Sequence, residues 1–188
     1  GDTTTTFASA LAGFYQQVKV GHVEAGLRTY DKYSPYPEEM NRIMTGNIAD
    51  LHFAPTERNR QNLLREAIED DKIYITGNTV IDALLEVANK PYDFENEVLK
   101  NIDFDNKRVI TVTCHRRENL GENMEHIFSA IRDIAEEFDD TEIIYPMHMN
   151  PKVREAAGKI LGNTPRIHLI EPLQYQPFVN LMAKSYLI

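Results

Sequence analysis

The side chains best suited to chemistry gather in Gly21-His22-Val23-Glu24-Ala25-Gly26-Leu27-Arg28 and in Ser34-Pro35-Tyr36-Pro37-Glu38-Glu39-Met40-Asn41-Arg42. The apolar run from Val18 to Val23 predicts a strand, and its alternation puts His22 and Glu24 on one face at the carboxyl end. His-x-Glu is also a zinc-deaminase signature, but that chemistry needs a later Pro-Cys-x-x-Cys. The chain has one cysteine, so no metal is expected. The plainer alternative is that His22 and Glu24 only bond backbone at a strand end. Glu38 and Glu39 fall where a helix should begin, where acids complement the helix dipole. Glu38 also stands four residues before Arg42, the spacing of a helix ion pair. Of two adjacent acids only one can face a cleft, and Glu38, next to the Pro-Tyr-Pro turn, is the one expected there.

A second group lies further on. Thr113-Cys114-His115-Arg116-Arg117-Glu118-Asn119 begins where the expected strand Val109–Thr113 stops, and a histidine beside two arginines before a helix suits a pyrophosphate. Cys114 and His115 are strand neighbours that point to opposite faces, so Cys114 is read as an inert buried thiol rather than a nucleophile. Tyr145-Pro146-Met147-His148-Met149-Asn150-Pro151 is another strand end carrying a histidine, with prolines that fix the loop. Ser129 belongs to no nucleophile arrangement. His52, His126 and His168 are read as surface or packing residues.

The elements that must position these groups alternate. Phe7, Leu11 and Phe14 predict a helix after Gly1-Asp2-Thr3-Thr4-Thr5-Thr6, with Asp2 as its N-cap on position alone. A helix over roughly 37–50, the strand 51–54 ended by Pro55, and a helix capped by Thr56 with Leu63, Leu64 and Ala67 inward come next. The short strand 73–75 leads to a helix capped by Asn78-Thr79. Residues 89–106 are the most polar and least periodic. Beyond them the spacing predicts a helix near 123–138 with Ile127, Ile131 and Ile134 inward. The strand Ile143–Pro146, the helix 153–161, the strand 167–170 and the helix 178–183 complete the series. Strands alternating with helices mean parallel sheets with right-handed crossovers. The expected division is 1–79, a connecting helix and linker at 80–106, and 107–188.

Composition narrows the function. The chain of 188 residues is 42% hydrophobic and 26% charged, as in ordinary globular proteins. A net charge of −9 and a pI near 5.1 argue against bulk nucleic-acid binding, although a phosphate-bearing small molecule needs only local donors. No apolar run approaches the ~20 residues that span a bilayer, and no signal-peptide pattern is read in the sequence. With a single cysteine, the expected setting is reducing and cytoplasmic. The first residue, Gly1, and the last run, Ser185-Tyr186-Leu187-Ile188, which reads as half a buried strand, suggest a fragment of a longer protein.

Seven ordered motifs carry a resemblance: Gly1-Asp2-Thr3-Thr4-Thr5, Gly21 to Thr29, Pro37-Glu38-Glu39-x-Asn41-Arg42, and Thr76-Gly77-Asn78-Thr79-Val80-Ile81-Asp82 in the first half. His115-Arg116-Arg117-Glu118-Asn119, Tyr145-Pro146-x-His148-x-Asn150-Pro151 and Glu171-Pro172-Leu173-x-Tyr175-x-Pro177-Phe178 follow in the second. From end to end the chain resembles the bacterial non-hydrolysing UDP-N-acetylglucosamine 2-epimerases. The resemblance implies an α/β protein of glycosyltransferase-B-like architecture, with two Rossmann-like parallel-sheet units and an active site in the cleft between them. Each unit is incomplete in this chain. It also implies a homodimer without cofactor that interconverts UDP-N-acetylglucosamine and UDP-N-acetylmannosamine for cell-envelope polysaccharide. UDP leaves by anti elimination, giving 2-acetamidoglucal, and then re-adds.

By motif match Asp2, Glu24 and Glu38 resemble the family's acids and His115 the residue that holds UDP. Phe178 falls near the uracil, and Arg116 and His148 match a site for a second, activating UDP-N-acetylglucosamine. Leu173 stands where many members have Gln and is not assigned. Cys114 stands where relatives commonly have Ala or Gly. On the same architecture, a hydrolysing epimerase, a glycosyltransferase or an inactive sugar-nucleotide-binding fragment are the alternatives.

Overall fold

The structure, a computed structural model, describes residues 1–114 and 120–188. The chain divides into two compact units, Gly1–Ala83 and Leu84–Ile188.

The first unit is built on three short parallel strands in the order β1 (Gly21–Val23), β2 (Leu51–Ala54) and β3 (Ile73–Ile75). His22 pairs in register with His52, and His52 with Ile73. The helices are α1 (Thr4–Tyr15), α2 (Glu38–Ile48), α3 (Glu57–Arg65) and α4 (Thr79–Ala88). Thr3, not Asp2, caps α1: its hydroxyl accepts the amide of Thr6 at 3.1 Å. Asp2 is thereby left to other partners. Thr56 caps α3 as expected, and Leu63 is fully buried. Ala67 lies beyond that helix at φ 63 and is exposed, because the amides of Ala67 and Ile68 close the helix end on the carbonyls of Leu64 and Leu63.

The second unit repeats the plan with β4 (Arg108–Thr111), β5 (Thr141–Pro146) and β6 (Ile167–Ile170), parallel and adjacent in that order. Leu187 bridges in parallel to Ile110, so the chain adds backbone on the free side of β4. Alternation along β5 separates two cores. Tyr145 packs with Met124 and Phe128 of α6 (Glu122–Glu137) and Val153, Ala157 and Leu161 of α7 (Pro151–Leu161). Ile144, Val109 and Ile170 pack with Leu181 of α8 (Tyr175–Lys184) and with Phe94 and Leu99. Leu99 belongs to the one-turn helix α5 (Glu97–Lys100), capped by Asn96. Residues 92–104 thus close one face of this sheet, with Phe94 and Phe104 stacked at 5.5 Å.

On α6 the buried stripe is Met124, Phe128 and Ala135, flanked by half-buried Ile127 and Ile131, while Ile134 is exposed. The expected face was rotated by about one residue, because three isoleucines at helical spacing outweighed the methionine and phenylalanine beside them.

Candidate active site

In the first unit the expected residues lie at the carboxyl end of β1 and at the starts of α1 and α2. Strand β1 ends at Val23, and Glu24 has φ 65, so strand alternation does not extend to it. His22 and Glu24 do not share a strand face. His22 is buried, and its Nε2 donates to Gly1 O at 2.8 Å. Burial lowers its pKa to about 4, so the ring is neutral near pH 7. It acts as a strut beneath the Gly1-Asp2 segment. The Gly1 nitrogen donates to Val23 O.

The turn after Glu24 is held by side chains from α3. Gly26 has φ 82, and a Cβ there would lie 2.3 Å from Asn59 O, so only glycine fits. Its carbonyl accepts from the amides of Asn59 and Asn62. Arg28, its side chain wholly buried, forms a two-pronged pair with Glu66 at 2.7 and 2.8 Å. The segment then passes two cis prolyl bonds, Ser34-Pro35 and Tyr36-Pro37, into α2.

At the start of α2 the adjacent acids part company. Glu39 is fully buried; its Oε1 accepts the amides of Thr29 and Tyr30 at 3.0 and 2.9 Å, and its Oε2 faces Arg42 at 3.3 Å. Arg42 therefore pairs with Glu39 and not with Glu38 as the i,i+4 spacing suggested. It also donates Nε and one terminal nitrogen to Asp2 Oδ2, at 3.1 and 2.8 Å. Asn41 donates to Asp2 O at 2.9 Å. Glu38 is half-buried, and its carboxylate makes no hydrogen bond among the described residues. Sequence reasoning missed Glu39, Asn41 and Arg42 as holders of Asp2; the Glu-x-x-Arg spacing was the one available sign.

In the second unit a pocket of about 290 Å³ opens at the carboxyl ends of β4, β5 and β6. Cys114, His148, Met149, Leu173 and Phe178 line it, which brings His148 and Phe178 together and adds Leu173. His148 Nδ1 accepts the amide of Asn150 at 3.1 Å, so a neutral ring carries its proton on Nε2. Burial pushes the Cys114 thiol pKa up, and Tyr145 Oη donates to the Cys114 carbonyl at 2.7 Å. His115 and Arg116 lie outside the described residues.

Parallel strands alternating with helices in each unit, with acids at the carboxyl end of β1 in the first and a pocket at the carboxyl ends of β4, β5 and β6 in the second, define a doubly wound α/β protein. The model of the UDP-N-acetylglucosamine 2-epimerase family matches residues 1–188, and the chain belongs to that family. The UDP-N-acetylglucosamine 2-epimerase of Bacillus subtilis (strain 168) is 57% identical over 188 residues, covering 100% of this chain and 48% of that protein. The Escherichia coli (strain K12) enzyme of the same name is 53% identical over 193 residues, covering 100% and 51%. Among solved structures, S. aureus MnaA with UDP superposes with a TM-score of 0.90 at 52% identity, covering 99% of this chain and 50% of that one. The Neisseria meningitidis UDP-GlcNAc 2-epimerase bound to UDP-GlcNAc gives 0.86 at 48% identity, covering 98% and 51%. Such neighbours share the glycosyltransferase-B fold. The chain spans about half the length of these relatives.

Proposed function

We propose that the whole protein interconverts UDP-N-acetylglucosamine and UDP-N-acetylmannosamine, and that Asp2, Glu24 and Glu38 supply its acid–base groups. The C1–O bond to UDP breaks with its electron pair leaving on the phosphate, while a carboxylate takes the C2 proton and a C1=C2 bond forms. Returning UDP to C1 with protonation of C2 on the other face completes the inversion. The C2 proton is not beside a carbonyl, so charge on the ring must be stabilised while the base acts. Several carboxylates around one sugar can divide these tasks, since their environments push their affinities for protons apart. The observation that carries this reading is the unengaged carboxylate of Glu38 beside a fully bonded Glu39, on the same helix that holds Asp2.

On the same reading His115 holds UDP, Phe178 lies beside the uracil, and Arg116 with His148 binds a second, activating UDP-N-acetylglucosamine. The whole protein works as a homodimer, in the cytoplasm, in the supply of cell-envelope polysaccharide. Incubating the full-length protein with UDP-N-acetylglucosamine and following products by NMR tests this. UDP-N-acetylmannosamine is the expected product, and free N-acetylmannosamine would mark a hydrolysing enzyme instead. Glu24→Gln and His115→Ala should each lower UDP release by roughly 100-fold to 10,000-fold. Near-normal turnover in both variants would sink the assignment.

A further inference from the structure

We propose that Glu39 is a positioning residue for the reaction, acting through Arg42 on the carboxylate of Asp2. The proposal rests on the reading of Asp2 as an acid of the epimerase site. A glutamate in a helix's first turn usually complements the dipole from an exposed position. Glu39 is instead fully buried, and a buried carboxylate must have every lone pair engaged to be tolerated. Its two oxygens divide the work. Oε1 takes the amides of Thr29 and Tyr30, which fixes the segment that follows Glu24 and Arg28. Oε2 takes one terminal nitrogen of Arg42 at 3.3 Å.

Arg42 is thus held from behind, and its planar fork leaves Nε and the other terminal nitrogen aimed in one direction. Both meet the same oxygen of Asp2, Oδ2, at 3.1 and 2.8 Å. Oδ1 of Asp2 receives no hydrogen bond among the described residues, so it is the oxygen presented to a ligand. Asn41, one residue before Arg42, holds the Asp2 backbone carbonyl at 2.9 Å. One turn of α2 therefore determines where the Asp2 carboxylate stands and which way it faces, and Glu39 locks that turn to the loop leading from Glu24. Small misplacements of a reacting group cost rate far more than binding, so the effect belongs in kcat.

The test uses the full-length enzyme. Glu39→Gln keeps an oxygen for the two amides but sets an amide NH2 against the guanidinium, a donor facing a donor. The expected result is a loss in kcat of about 100-fold, with KM for UDP-N-acetylglucosamine changed by no more than about threefold. Arg42→Ala should lose activity to a similar degree and regain part of its kcat when free guanidinium ion is added, which a purely structural role would not permit. An unchanged kcat in Glu39→Gln, a loss carried by KM, or no recovery of Arg42→Ala by guanidinium overturns the proposal. If wild-type enzyme leaves UDP-N-acetylglucosamine unchanged, the functional reading itself fails. Active wild type with unaffected variants removes only the role of Glu39.

Discussion

Gly26 is the residue on which the geometry of the Glu24 turn depends. Its φ of 82 belongs to the left-handed region, and the space a Cβ would need is taken by the Asn59 carbonyl. Gly26→Ala should destabilise the first unit by about 2 kcal/mol or more, since backbone cannot yield as a side-chain end can. Urea unfolding measures this, and a loss below about 0.5 kcal/mol would mean that the turn rearranges. At this scale Glu24 and Glu38 were candidates by type and spacing, while Arg42 was given the wrong partner. Which of two neighbouring glutamates turns inward was not, because the answer lies in the amides of Thr29 and Tyr30, ten and nine residues away. The i,i+4 rule favoured Glu38 with Arg42; burial of Glu39 decided otherwise.

Among the elements, β1 and β2 set two histidines side by side in the sheet, His22 at 2% exposure and His52 at 0%. Burial depresses the pKa of both, that of His22 from 6.5 to about 4 against the opposing bond to Gly1 O. The unfolded chain therefore binds protons that the folded one refuses. The stabilisation is fully present above pH 6.5 and is lost as the pH falls from there toward about 4. For His22 alone the loss is on the order of 3 kcal/mol. Urea unfolding at about pH 7.5 and about pH 4.5 should show it, and His22→Gln should flatten the difference. A variant with wild-type pH dependence would place the titration elsewhere. The strand–helix alternation itself was legible from short apolar runs bounded by Gly and Pro. The strand end at Val23 was not, because Glu24 adopts a left-handed conformation that no residue preference announces.

For the molecule as a whole, the two units keep separate cores, and residues 92–104 belong to the second. Their polar composition concealed Phe94, Leu99 and Phe104, which are spaced too irregularly for a periodicity reading. Leu99 is 1% exposed, so Leu99→Ala should cost about 2–5 kcal/mol. Hydrogen exchange should register that cost in the amides of β4 to β6 and leave those of β1 to β3 unchanged. Equal loss in both sheets would contradict the assignment of this segment.

The bridge from Leu187 to Ile110 bears on where the pocket of the second unit lies. The chain winds from β4 through β5 to β6 in one direction, then returns by α8 to the other flank of β4. With crossovers of one hand, that reversal sends α6 and α7 to one face and α8 to the other, as the two cores record. Helices diverging to opposite faces leave a crevice at the carboxyl end of the strand where the direction changes. That strand is β4, which continues into Thr113 and Cys114 at the rim of the pocket. The order of the strands thus places the pocket before any single side chain does.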